Sequence, residues 1–164
     1  MRLAPHFTLA ELTLSQEAAR KGWDNRPPAS IMPALERTAQ KLEEVRALLG
    51  GNAIVVSSGY RAPKVNVAIG GSHTSAHCLG HAADFTCPGF GTPLEVARAI
   101  AASPLMKGVD QLIYEHRAWV HISFDPRASL KGRAGSVPGP RGHQLTIYRN
   151  RRGEVVTAQK LFEP

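Results

Sequence analysis

Between Ile31 and Leu49 apolar residues recur at helical spacing, at Ile31, Leu35, Leu42, Val45 and Leu49, and Thr38 fills the one step where an apolar side chain is missing. Gly50-Gly51 follow as a stop, so the pattern predicts an amphipathic helix whose stripe belongs to the core. Ahead of it, Thr8 and Glu11 fit a capping box, with Phe7 as the outer half of a hydrophobic staple. They predict a short helical region to about Lys21, broken by Gly22 and Pro27-Pro28. Thr92 as N-cap and Pro93 at the first helical position predict a further helix from Pro93 to Ala102.

Elsewhere the texture changes to short β-like runs between glycines and prolines: Ile54 to Ser57, Ala82 to Cys87, Asp110 to Glu115 and Trp119 to Phe124. Asp125 to Gly142 is rich in Gly, Pro, Arg and Ser without periodicity and predicts a long surface loop. His143 to Arg149 and Glu154 to Gln159 predict a hairpin turning at Asn150 to Gly153. Helices first, then strands with few helical crossovers, predict an α+β fold with N-terminal helices packed on a small, mainly antiparallel sheet. The expectation is one domain over residues 1–164, with a core at 7–124, the loop at 125–142 and a C-terminal hairpin extension at 143–164.

Composition narrows the class. A chain of 164 residues with 43% apolar content buries on the order of 70% of its unfolded surface, so it needs no disulfide staples. Cys78 and Cys87 are too few for a disulfide scaffold and are expected to be small buried thiols. No stretch reaches the roughly 18 apolar residues of a membrane span, and the amino terminus meets charge and capping residues too early for a signal peptide. Synthesis in the cytoplasm, with no stable membrane insertion, is the expectation. Twenty Lys+Arg against 13 Asp+Glu give a net charge of +7, which suits nucleic acid, anionic lipid or bacterial wall as partner. The basic residues are spread out, with Arg149, Arg151 and Arg152 the only tight cluster and little aromatic interleaving, which argues against nucleic acid.

Groups able to hold a metal concentrate in the middle of the chain. His77 and Asp84 lie seven residues apart around Gly80, and His121 lies on a predicted strand. Two imidazoles and one carboxylate leave one position open on a tetrahedral zinc, the catalytic pattern. Gly80 interrupts any helix through His77, so Asp84 can start the next strand and turn to the same point. Bland alternatives stand beside this: His121 as a hydrogen-bonded core histidine, Asp84 as a turn cap. His73, His77 and His81 form a rival set on one helical face, against which the helix-breaking Gly70, Gly71 and Gly80 argue.

Ser57-Ser58-Gly59-Tyr60-Arg61-Ala62-Pro63, Asn66 with Gly70-Gly71, Ser75-x-His77-x-x-Gly80-x-Ala82-x-Asp84 and Trp119-Val120-His121-Ile122-Ser123 together resemble the successive motifs of the M15 zinc peptidases. Within them, the resemblance is nearest to D-alanyl-D-alanine carboxypeptidases and phage or bacterial murein peptidases, and runs from about Phe7 to Phe124. It implies one zinc ion on His77, Asp84 and His121, an Arg61 that reaches toward substrate or the developing oxyanion, and a Ser75 beside the site. It implies peptidoglycan stem peptides as substrate. Relatives often carry a glutamate three residues before the last zinc histidine, where this chain has Ala118.

Strand pairing offers a substitute for that glutamate. If His116 to Ala118 join the two strands, paired residues sum to 234, Ile113 faces His121, and Glu115 shares its face about 7–8 Å away. A two-residue turn would put Glu115 on the other face. Glu115 is therefore the expected general base, His116 its substitute and Gln111 a polar neighbour on the same face. The expectation is a monomeric zinc peptidase cutting amide bonds in peptidoglycan stem peptides, reaching the wall by holin-type release or as a phage component. The alternative is a non-catalytic wall-binding or phage morphogenesis module that keeps the zinc fold, favoured by the missing glutamate.

Overall fold

In the computed structural model of the chain, which describes residues 1–126 and 140–164, the predicted central helix is present as α3. The elements run β1 (Arg2–Ala4), β2 (Phe7–Thr8), α1 (Leu9–Leu12), α2 (Gln16–Lys21), α3 (Met32–Leu48), β3 (Val55–Ser58), α4 (Pro63–Ala68), β4 (Ala82–Thr86), α5 (Pro93–Ala101), β5 (Gln111–Glu115), β6 (Trp119–Ser123), β7 (His143–Arg149) and β8 (Val155–Gln159). Short 3₁₀ turns cover Ala29–Ile31, Ala76–Leu79 and Pro104–Gly108.

Local chemistry sets most boundaries. Thr8 and Glu11 form the capping box at α1, with Phe7 and Leu12 both buried. Thr92 and Glu95 form a second box at α5. The helical region expected to run to Lys21 is two helices, because the Ser15 hydroxyl accepts from the Ala18 amide and starts α2 afresh. The small β1–β2 ribbon and α4 are additions to the predicted elements.

Six strands form one sheet in the order β3-β4-β6-β5-β7-β8, antiparallel throughout except for the parallel pair β5–β7. The pairing of β5 with β6 has the expected register: Ile113 opposite His121 and Glu115 opposite Trp119, across a three-residue connection. His116 and Arg117 both take positive φ there, 50° and 59°.

Side-chain alternation gives this sheet two chemically different faces. Ala83, Phe85, Leu112, Val120 and Ile122 join Leu35, Leu42 and Val45 of α3 and Val96 and Ile100 of α5 in one buried core. Truncating such a side chain to alanine costs about 2–5 kcal/mol. Asp84, Gln111, Ile113, Glu115, Trp119 and His121 belong to the alternate set and line an open cleft. The predicted loop at Asp125 to Gly142 falls mostly outside the described residues. Among the described residues no helix is long and apolar enough to cross a membrane.

Candidate metal centre

The centre is assembled by two adjacent strands and one turn. Asp84 on β4 lies directly opposite His121 on β6, which brings residues 37 positions apart into one cross-strand pair. His77 comes from the 3₁₀ turn at Ala76–Leu79, which Gly80 closes at φ 72°. That left-handed turn disfavours a side chain, and an added Cβ would lie 2.8 Å from Ile31 Cγ2 and 3.1 Å from Leu35 Cγ. The turn is pinned from below: Thr38, the polar step in the α3 stripe, donates its hydroxyl to the Gly80 carbonyl at 2.7 Å.

Three electron-pair donors converge on one point. His121 Nδ1 lies 2.8 Å from Asp84 Oδ1, His77 Nε2 lies 3.2 Å from the same oxygen, and the two imidazole nitrogens are 3.1 Å apart. Zinc bonds of ordinary length give a tetrahedral edge of about 3.3 Å, close to these separations. His77 Nδ1 is 2.6 Å from the Gly59 carbonyl, to which it donates, so the proton of the neutral ring sits there and the Nε2 lone pair faces Asp84 and His121. Such a carbonyl partner orients metal-binding histidines. Gly59 is itself required by packing, because a Cβ there would meet the Leu12 carbonyl oxygen at 2.4 Å.

Electrostatics agree with a cation-binding role. Burial holds His77 below the usual imidazole range against the opposing pull of Asp84, so the ring is neutral and able to ligate. Burial pushes the Asp84 carboxyl up, but its interactions with His77 and His121 outweigh burial and hold that carboxyl well below the carboxylate range. Asp84 therefore keeps its negative charge although nearly buried. Among the described residues, His77, Asp84 and His121 are the group of His, Cys, Asp or Glu side chains placed to hold a metal. His81 is buried but does not line the cleft, and His73 is exposed.

Every predicted site residue lines the same cleft of about 920 Å³: Arg61, Ser75, His77, Asp84, Gln111, Glu115, His116 and His121. Arg61 has a task the resemblance did not imply. Its Nη2 donates to Asp84 Oδ2 at 3.1 Å, its Nη1 to Asn66 Oδ1 at 3.3 Å and its Nε to Ser58 Oγ at 3.1 Å. The guanidinium thus holds one carboxylate oxygen and leaves Oδ1 toward the imidazoles. Glu115 accepts from Trp119 Nε1 at 3.3 Å, and burial together with the Asp84 charge raises its carboxyl above the usual range. His116 stands at the rim, its ring edge-on to Trp119 at 5.6 Å.

The neighbouring acid Asp110, which also lines the cleft, is committed to other partners. It accepts the Arg141 backbone amide at 3.1 Å, Arg141 Nε and Nη2 at 2.8 Å each, and the Ser123 hydroxyl at 3.4 Å. Sequence reasoning passed over Arg141, since a Gly- and Pro-rich stretch carries no periodicity to place it. Cys78 and Cys87 are free thiols; Cys87 is buried as expected but Cys78 is half-buried, and burial raises both above the usual range, which disfavours the thiolate.

A donor set of two imidazoles and one carboxylate, open to a cleft with a further carboxylate on its wall, is one that metal-dependent hydrolases use. The family follows from comparison: residues 5–123 match the family model for peptidase M15, and the chain belongs to that family of metal-dependent peptidases. No curated protein matches the chain.

Proposed function

We propose that this peptidase is a zinc enzyme that hydrolyses amide bonds in peptidoglycan stem peptides, as a D-Ala-D-Ala carboxypeptidase or a murein endopeptidase. The observation that carries the catalytic part is the convergence of His77 Nε2, Asp84 Oδ1 and His121 Nδ1 in a cleft that Glu115 also lines. His77, Asp84 and His121 would hold the ion, which when bound supplies Lewis-acid chemistry, polarising a carbonyl and acidifying water. Glu115, with its raised affinity for a proton, takes one from the attacking water and returns it to the leaving amine. Arg61 keeps Asp84 oriented, and its cleft-facing edge supports negative charge developing on the scissile carbonyl. Ser75 and Gln111 line the cleft where peptide groups would lie.

The family supports peptidase chemistry, and the +7 charge supports an anionic polymer as carrier of the substrate. Monomeric action on the wall after holin-type release, or as a phage component, is part of the same proposal. Glu115 on the cleft wall favours this over the non-catalytic module. Mass spectrometry of muropeptides before and after incubation with zinc-loaded protein identifies the bond cut. Glu115→Gln should retain zinc and release no peptides; undiminished release by that variant would remove Glu115 from the mechanism.

A further inference from the structure

The Asp110–Arg141 pair sits in the cleft of the metal centre and is left unused by the proposed mechanism. Asp110 follows the 3₁₀ turn that precedes β5, and its side chain is 2% exposed. Arg141, from the segment entering β7, has a side chain that is 31% exposed and lines the same cleft. The guanidinium is thus the more open half of the pair, so the pair meets the cleft mainly through guanidinium N–H groups, with the charges of Asp110 and Asp125 both acting on them. The planar group is fixed by two parallel bonds through Nε and Nη2 and by the bond from its own backbone amide to Asp110. An arginine fixed this way has already lost its side-chain freedom and can engage an anion without further ordering. Arg20, also lining the cleft, contrasts with it: its side chain is 75% exposed and its partner Glu17 lies only three residues away on the same short helix.

We infer that Arg141 is a specificity-determining residue that binds a carboxylate of the peptide substrate, with Asp110 as its positioning residue. This deepens the peptidase reading above and rests on it for the identity of the ligand as a peptide. Arg141 lies beyond residues 5–123 that match the family, in the segment that enters β7. The carboxylate can be a terminal one or one on an acidic side chain; both offer two coplanar oxygens to the guanidinium.

Calorimetric binding to the zinc-loaded Glu115→Gln protein separates these sources. Three short peptides of one sequence are compared: one with only its terminal carboxylate free, one with only a side-chain carboxylate free, and one with both amidated. At least one carboxylate peptide should bind about 10- to 100-fold more tightly than the amidated one. Arg141→Gln should remove that margin while leaving the amidated peptide's affinity unchanged. Because Arg141→Gln strands a buried carboxylate, the double variant Asp110→Asn/Arg141→Gln is measured beside it and should behave alike. Equal binding of all three peptides, or a margin that survives both variants, would overturn the inference. A margin lost in the variants, in a protein whose Glu115-intact form cleaves no peptide, would keep the inference and sink the peptidase reading.

Discussion

Asp84 meets demands that no single neighbour could satisfy. One oxygen faces two imidazoles and the other is held by Arg61. Removing that outer partner should loosen the inner one. Arg61→Ala should lower metal affinity about 10- to 100-fold, measured by competition with a chromogenic chelator. Glu115 offers a second test, through stability. Its carboxyl is raised above the usual range, so between the ordinary and the raised value the folded chain keeps a proton that the unfolded chain has lost. Stability therefore falls as pH rises through that window and stays lower at neutral pH. In the metal-free protein, Glu115→Gln should melt above wild type at neutral pH, with the gap closing below the ordinary carboxylate value; parallel melting curves at all pH values would contradict this. The convergence of His77, Asp84 and His121 was legible in sequence through their types, the Gly80 break and the family resemblance together. Arg141 was not, since Asp110, the carboxylate it clasps, is 31 residues away.

At the scale of elements, the connection from α3 to the metal centre runs through one hydrogen bond and one glycine. Gly80→Ala puts a side chain on a left-handed φ of 72° and into contact with Ile31 and Leu35. It should cost about 1–3 kcal/mol in denaturant unfolding and weaken metal binding at the same time. A variant that lost stability but bound metal as wild type would separate the two effects. The sequence pattern disclosed α3, α5 and the two capping boxes, whose signals are local. It also disclosed the β5–β6 register, because one connection length fixes every pair. It missed β1–β2 and α4: two strands of three and two residues and a six-residue helix hold too few positions for either period to show. The gap in the α3 stripe was visible, yet the reason for it, the Thr38 bond to the Gly80 carbonyl, spans 42 residues and has no sequence signature.

Taken whole, the molecule places its metal donors on one side of a sheet whose other side is the hydrophobic core. Metal bound there stabilises the native state by mass action, about 2.7 kcal/mol at a free concentration of 100 times Kd. Adding a strong chelator to the loaded protein should therefore lower Tm, and restoring zinc should raise it again; a Tm indifferent to chelation would contradict binding at this centre. The α+β class and the strand order of the hairpin were legible, but the parallel pairing of β5 with β7 was not. Hairpin signals report neighbours along the chain, and that contact joins segments 32 residues apart. The opposition of Asp84 and His121 across β4 and β6 has a kinetic consequence. Neither strand is joined to the other by a hairpin, so the chain must close a long loop through α5 and β5 before the donors meet. During refolding, the ability to capture metal should arise with the slow formation of the central sheet and lag behind any early helix, making the ion a clock for the last non-local step.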